Sequence, residues 1–217
     1  AFRCHDYEPG LRALWRENLS LEEEYRQLQT LVENCIAVLS SQGWSLADFS
    51  TSHSARGMIA IMEALGYQEW NLMGGSYGSR LALEWLRQDS EGVRAVILDS
   101  VYPPDKGSPG DWPELLDKSL AAFWPHCRAM QWCEGGEEEA LLEVLQQLQQ
   151  QPRALTVSLY GGGWPLRVVL NDHRFLGTIY SALYDETLHQ HIPRAIEEVL
   201  QGGESSLVRL LANTVNS

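Results

Sequence analysis

The residues with the clearest capacity for chemistry lie in one short run, Gly74-Gly75-Ser76-Tyr77-Gly78. The serine stands between glycines, after the apolar run "EWNLM" and before the helix-periodic run "SRLALEWLRQ". That context reads as strand, sharp turn, helix, the arrangement that lifts a nucleophilic serine out of the backbone. Such a turn forces Ser76 into strained geometry and requires minimal side chains at Gly74 and Gly78, where strand and helix pass closely. It exposes a hydroxyl at a helix N-terminus, where the helix dipole and the backbone N–H of Tyr77 can stabilise an oxyanion. The chemistry implied is acyl transfer to Ser76. No Lys-Ser/Thr pair follows the glycines, which excludes a phosphate loop; a plain glycine-rich bend is the alternative.

The surrounding elements must hold that turn in place. Ser20-Leu21-Glu22-Glu23 is a capping box, and Leu28, Leu31, Cys35 and Val38 repeat at helical spacing up to Ser41, with Gly43 as the stop. "STSHSARGMIAIMEALGY" predicts a second helix, capped near Ser52 or Ser54 and ending at Gly66. "VRAVILDSV", between Gly92 and Pro103-Pro104, predicts a fully buried parallel strand. Residues 50–101 therefore read helix, strand, helix, strand, a βαβ unit preceded by a helix. "YPPDKGSPGDWP" is a linker. Beyond it the chain reads as mainly helical: a stretch over 112–130, a helix in "EEEALLEVLQQLQQQP" with Leu141, Val144, Leu145 and Leu148 on one face, and helices near 172–183, 186–201 and 204–212. "ALTVSLYGGGWPLRVVLN" predicts a hairpin turned by the glycines at 161–163.

The totals narrow the classes. With 217 residues and 44% hydrophobic content the chain can bury a core. Its apolar runs are too short for a membrane span. A net charge of −13 disfavours nucleic acid and tolerates a cationic or amine-bearing substrate, although solubility alone accounts for such a charge. The opening "AFRCHDYEPG" lacks an initiator Met and a signal-peptide pattern, as expected of a processed or partial chain. The cysteines are Cys4, Cys35, Cys127 and Cys133, with no Cys-x-x-Cys pair, so no zinc site is expected; no metal or cofactor is called for. Four cysteines suit two disulfides, Cys127 and Cys133 being close enough to close a small loop, or else four reduced thiols. Disulfides would imply an oxidising compartment, periplasmic or secreted.

The segment "GYQEWNLMGGSYGSRLALEWLRQDSEGVRAVILDSVYPPD" resembles the proline iminopeptidase and tripeptidyl aminopeptidase family of α/β-hydrolase serine peptidases. The Gly-Gly-Ser-aromatic-Gly-Ser run, the preceding "ALGY" and the following "LDSVYPPD" carry the likeness, which extends more loosely over most of the chain. The resemblance implies an α/β fold: residues 1–105 as a partial α/β-hydrolase core holding the nucleophile elbow (Gly74, Gly75, Ser76, Gly78), and 106–217 as an inserted, mainly helical cap with a small β-hairpin. It also implies pairings of Cys4 with Cys35 and Cys127 with Cys133, as in the secreted branch. One departure is Gly57, where the family often has Asp before the elbow strand.

A serine nucleophile needs a base and an orienting acid, in this fold in the order Ser, Asp or Glu, His. The histidines are His5, His53, His126, His173, His189 and His191; the last four follow Ser76, all in segments assigned to the cap. None lies where the resemblance expects the base. Asp99 ends the strand after the elbow helix and is read as structural. No His-Gly-Gly oxyanion loop precedes Ser76, and the "GGGW" at 161–164 is misplaced for one. The expectation is a serine exopeptidase that releases N-terminal proline or short oligopeptides through an acyl-enzyme on Ser76, with Tyr77 N–H as oxyanion donor. Candidate receivers of the substrate's amino group are Glu114, Asp172, Asp185 and Glu186. The acid, the base and the rest of the sheet would come from the remaining core of the same enzyme or from another chain. An esterase or lipase of the same fold, or an inert fragment or binding module, are the alternative readings.

Overall fold

A computed structural model describes residues 4–106, 109–159 and 165–216. The chain divides into two compact units, one of Ile36–Pro113 and one of Ala1–Cys35 with Glu114–Ser217. The sequence reading instead groups 1–105 and 106–217.

The Ile36–Pro113 unit contains α3 (Thr51–Ala64), β1 (Trp70–Gly75), α4 (Tyr77–Gln88) and β2 (Val93–Asp99), and it receives the end of α2 (Leu21–Ser41). The capping box works as its spacing predicts, with Glu23 N–H donating to Ser20 Oγ at 3.2 Å. At α3 the cap is Ser50 rather than Ser52 or Ser54: its Oγ accepts from His53 N–H at 3.2 Å. Three serines at alternate positions can each cap in principle, and the one with extended backbone, ψ 158°, does. Gly66, at φ +79°, follows the end of α3. The strands β1 and β2 pair in parallel, with Leu72 opposite Val96, Met73 opposite Ile97, Gly74 opposite Leu98 and Gly75 opposite Asp99. Ala55, Ile59 and Trp85 form the core, and Trp70, Leu72 and Val93 pack against it. The indoles of Trp70 and Trp85 meet edge to face at 5.7 Å.

The expectation that β2 is buried on both faces is not met. Met73 is 78% exposed and Ile97 60%, while Leu72 and Val96 on the opposite face are half-buried. Among the described residues, helix α4 packs on β1 and β2, with α3 behind it. An apolar run predicts that a strand prefers burial; it does not supply the second cover.

The other unit contains α1 (Tyr7–Leu14), most of α2, α5 (Trp112–Ala129), α6 (Glu137–Gln150), β3 (Arg153–Val157), β4 (Leu166–Leu170), α7 (Asp172–Ala182), α8 (His191–Gln201) and α9 (Ser205–Asn216). The strands β3 and β4 are antiparallel, Arg153 opposite Leu170 through Val157 opposite Leu166, as expected; the glycine turn at 161–163 lies outside the described residues. Leu141, Val144 and Leu148 of α6 face a core shared with Trp124, Phe175, Ile179 and Leu210. The helix expected over 186–201 is two pieces. Asp185 caps a single 3-10 turn, Glu186–Leu188, and α8 restarts at His191. Pro193, lacking an N–H, then falls in the first turn of α8, where that N–H would have no helical partner anyway. Helix α1 is absent from the sequence reading because Pro9 and Gly10 look like a turn. Instead Pro9 sits in its first turn, and Gly10 lets α1 approach α2: a Cβ there would lie 2.5 Å from a Leu31 methyl.

Arg174, only 4% exposed, ties the amino-terminal segment to α7. Its guanidinium donates to the carbonyls of Leu14, Glu17 and Val169 and to the Glu24 carboxylate at 2.7–2.9 Å. Glu24 also meets His173 Nε2 at 2.9 Å. Burial pushes the Glu24 carboxyl up, but the bonds from His173 and Arg174 outweigh it, so its pKa lies below the usual value. The cysteines pair as Cys4–Cys35 and Cys127–Cys133, with Cα separations of 5.3 and 5.7 Å.

Candidate active site

Ser76 occupies the single residue between β1 and α4. Its backbone, φ 49° and ψ −121°, is one that L-residues rarely adopt. Its N–H donates to Asp99 O at 3.0 Å, which fastens the turn to the end of β2. Gly74 is sterically required: a Cβ there would run into the Gly78 carbonyl and lie 2.8 Å from Ser79 N. The same reasoning fails at Gly78, where a Cβ would meet open space, and Gly75 is equally unconfined. The close approach is one-sided because α4 leaves the sheet over Gly74, with Gly78 pointing its missing side chain away.

Tyr77 is the first residue of α4, so its N–H is among those that no helical carbonyl takes. Its phenol bonds Thr51 Oγ1 at 2.8 Å and links α4 to the start of α3. Ser79, the closing serine of the Gly-Gly-Ser-aromatic-Gly-Ser run, has no role assigned from the sequence, and it is fully buried. Its Oγ donates to Ser76 O at 2.5 Å and accepts from Tyr102 N–H at 2.8 Å. Arg80 donates to the carbonyls of Pro103 and Lys106 at 2.5 and 2.7 Å and lies 3.9 Å over the Tyr102 ring. A signal was present: an arginine in the first turn opposes the helix dipole, so its place there points to another partner.

Five of the six histidines, all but His5, have other engagements. His53 Nδ1 bonds Ser50 Oγ at 2.8 Å, His173 meets Glu24, His189 Nε2 meets Leu183 O at 3.2 Å, and His191 Nδ1 meets Ser206 Oγ at 3.2 Å. His191 is held below the usual histidine pKa by burial and then by Arg209 and Arg194. His126 stacks edge-on against Trp132 and His189. His189 and His191, expected on one helix, flank the start of α8: His189 precedes it and His191 opens it.

The acidic candidates are dispersed. Glu114 pairs with Lys118 at 2.5 Å on the surface of α5. Asp185 accepts from Thr187 N and Oγ1 at 2.9 and 2.7 Å, which lowers its pKa. Glu186 lies in the 3-10 turn, and Asp172 opens α7 beside His173. A cavity of about 440 Å³, lined by Phe123, His126, Tyr180, Tyr184 and His189 among others, contains none of these four acids. Among the described residues no group of three or more His, Cys, Asp or Glu could hold a metal ion, and no helix is long and apolar enough to cross a membrane.

A strand, a strained serine and a helix, with a second parallel strand beside them, define an α/β architecture of the hydrolase type. The family model described as the alpha/beta hydrolase fold matches residues 29–172, more than half of the chain, and the chain belongs to this family. Membership in this family points to hydrolase activity. No curated protein matches the chain.

Proposed function

We propose that the chain carries the nucleophile of a serine hydrolase, and that the reaction is the removal of N-terminal proline or a short oligopeptide from a peptide. The observation that carries this reading is Ser76 at φ 49°, held between β1 and α4 over a glycine that no other residue can replace without collision. Strain of this kind costs about 1–3 kcal/mol and persists where a site needs it. Ser76 Oγ attacks the scissile carbonyl carbon; the carbonyl electrons move to oxygen, which the Tyr77 N–H receives. Collapse expels the amine, which carries off the serine's proton through the base. Water then cleaves the ester and restores Ser76.

The base is not one of the engaged histidines of this chain. We assign it, with its acid and the second oxyanion donor, to further core of the same enzyme or to another chain that completes the sheet. The exposed Met73 and Ile97 support such a completion. Residues 106–217 act as a cap that admits short peptides. Of the four acids, Glu114 is engaged by Lys118, Asp185 by Thr187 and Asp172 by His173, so Glu186 is the better receiver of the substrate's ammonium. The close cysteine pairs fit a secreted or periplasmic setting.

Proline and tripeptide chromogenic amides tested beside short acyl esters decide the substrate class. Amide cleavage supports the peptidase; ester cleavage alone makes the protein an esterase of the same fold. A fluorophosphonate is expected to label this chain slowly, on Ser76 and not in Ser76→Ala. Labelling elsewhere removes Ser76 as nucleophile; no labelling even at high probe concentration means that this chain lacks a working base.

A further inference from the structure

We infer that Ser79 is a positioning residue whose buried hydroxyl orients the peptide plane that supplies the oxyanion-binding N–H. This rests on the reading of Ser76 as nucleophile and Tyr77 N–H as oxyanion donor. The carbonyl of Ser76 and the N–H of Tyr77 belong to one planar trans peptide and point in opposite directions. Whatever holds the carbonyl therefore aims the N–H. The Ser76 carbonyl takes a 2.5 Å bond from Ser79 Oγ and a 3.0 Å bond from Ser79 N–H. The direction is unambiguous, because a carbonyl only accepts and the Tyr102 amide, on the other side of the same hydroxyl, only donates.

The bond to Tyr102 extends the device to the second strand. Ser76 and Ser100 each stand one residue beyond the last register pair, Gly75 opposite Asp99, and each has φ 49°. Ser76 N–H bonds Asp99 O; three residues on, Tyr102 N–H bonds Ser79 Oγ; and Ser79 Oγ returns to Ser76 O. The two strained turns are thus closed into one hydrogen-bonded ring through a single hydroxyl. Ring closure of this kind is what strained residues need in order to persist. Arg80 holds the next stretch of the same loop through Pro103 and Lys106. Ser79 is fully buried, so water cannot replace its hydroxyl at either bond.

The test compares Ser79→Ala, Ser79→Thr and Ser79→Cys in the full chain, with circular dichroism as the check on folding. Two readouts are taken: the rate at which a fluorophosphonate labels Ser76, and exchange of the Tyr102 amide by NMR. In labelling, the phosphonyl group bonds to Ser76 Oγ, fluoride leaves and the hydroxyl proton goes to solvent. Ser79→Ala is expected to slow labelling at least ~10-fold and to speed Tyr102 exchange about 10-fold. Ser79→Thr, which keeps the hydroxyl, restores both; Ser79→Cys, which keeps the volume with weaker bonds, falls between and serves if the alanine variant does not fold. Unchanged labelling with faster Tyr102 exchange overturns the orienting role and leaves only a structural tie. Unchanged exchange overturns the ring. If wild-type Ser76 does not label at all, the chain lacks a working base, and Tyr102 exchange alone decides the ring.

Discussion

The two compact units are stabilised in different ways. The unit of Ala1–Cys35 and Glu114–Ser217 buries large side chains from α5, α6, α7, α8, α9 and the hairpin in one continuous core, and Arg174 satisfies its buried charge with a carboxylate and several carbonyls. The unit of Ile36–Pro113 has a small core around Ala55, Ile59 and Trp85, an open sheet face, and two strained serines at the strand ends. Packing accounts for the first. In the second, a few directional hydrogen bonds hold a conformation that packing alone would not select. The proposed nucleophile lies in the less covered unit, where strain and exposure are both found.

Several substitutions would sharpen or break that contrast. The largest effect is expected from Phe175→Ala, which opens a cavity in the packed core and should cost about 3–5 kcal/mol in urea unfolding. A loss below about 1 kcal/mol would mean that this core is not tightly packed. Glu24→Gln should cost about 3 kcal/mol by leaving the buried Arg174 without its counter-charge. It should also remove an acid sensitivity. Because the folded-state pKa of Glu24 lies below its ordinary value of 4.5, its contribution is present above that value and disappears as pH falls through the lowered one. Stability measured from pH 6 downward should therefore fall less steeply in the variant over that interval.

Gly74→Ala should cost about 1–3 kcal/mol, because the new methyl meets backbone of α4 that cannot swing aside. Gly78→Ala, with open space around it, should be nearly silent, and equal effects at the two glycines would refute the one-sided approach. Ser76→Gly should stabilise the chain by about 1 kcal/mol by releasing the left-handed strain, while abolishing fluorophosphonate labelling. Smallest of all, Ile97→Thr on the open sheet face should change stability by no more than about 0.5 kcal/mol in this chain.

Much of the local structure was legible. The capping box at Ser20, the period of α6 and the strand-serine-helix order around Ser76 are short-range patterns, set by neighbours within a few residues. The misses have separate origins. Ser50 caps α3 in place of its serine neighbours, α8 begins late because Pro193 needs a first-turn position, and α1 forms across Pro9-Gly10 because α2 lies against it. In each case several local solutions were open: a backbone angle chose at Ser50, proline's missing N–H chose at Pro193, and at α1 the approach to α2 decided. The candidate site divides in the same way. Ser76, Gly74 and Tyr77 take their roles from the motif, whereas the roles of Ser79, Arg80 and Tyr102 do not follow from it, since nothing in their spacing indicates that residues 23 positions apart share a hydrogen bond.

The amino-acid sequence alone determined that a serine stands on a sharp strand-to-helix turn, because glycine, apolar run and helical period are encoded side by side. Only the tertiary structure decided what holds that turn. The pairing of β1 with β2 brings Asp99 O to Ser76 N and Tyr102 N to Ser79 Oγ, and such directional bonds exist only once the two strands lie in register.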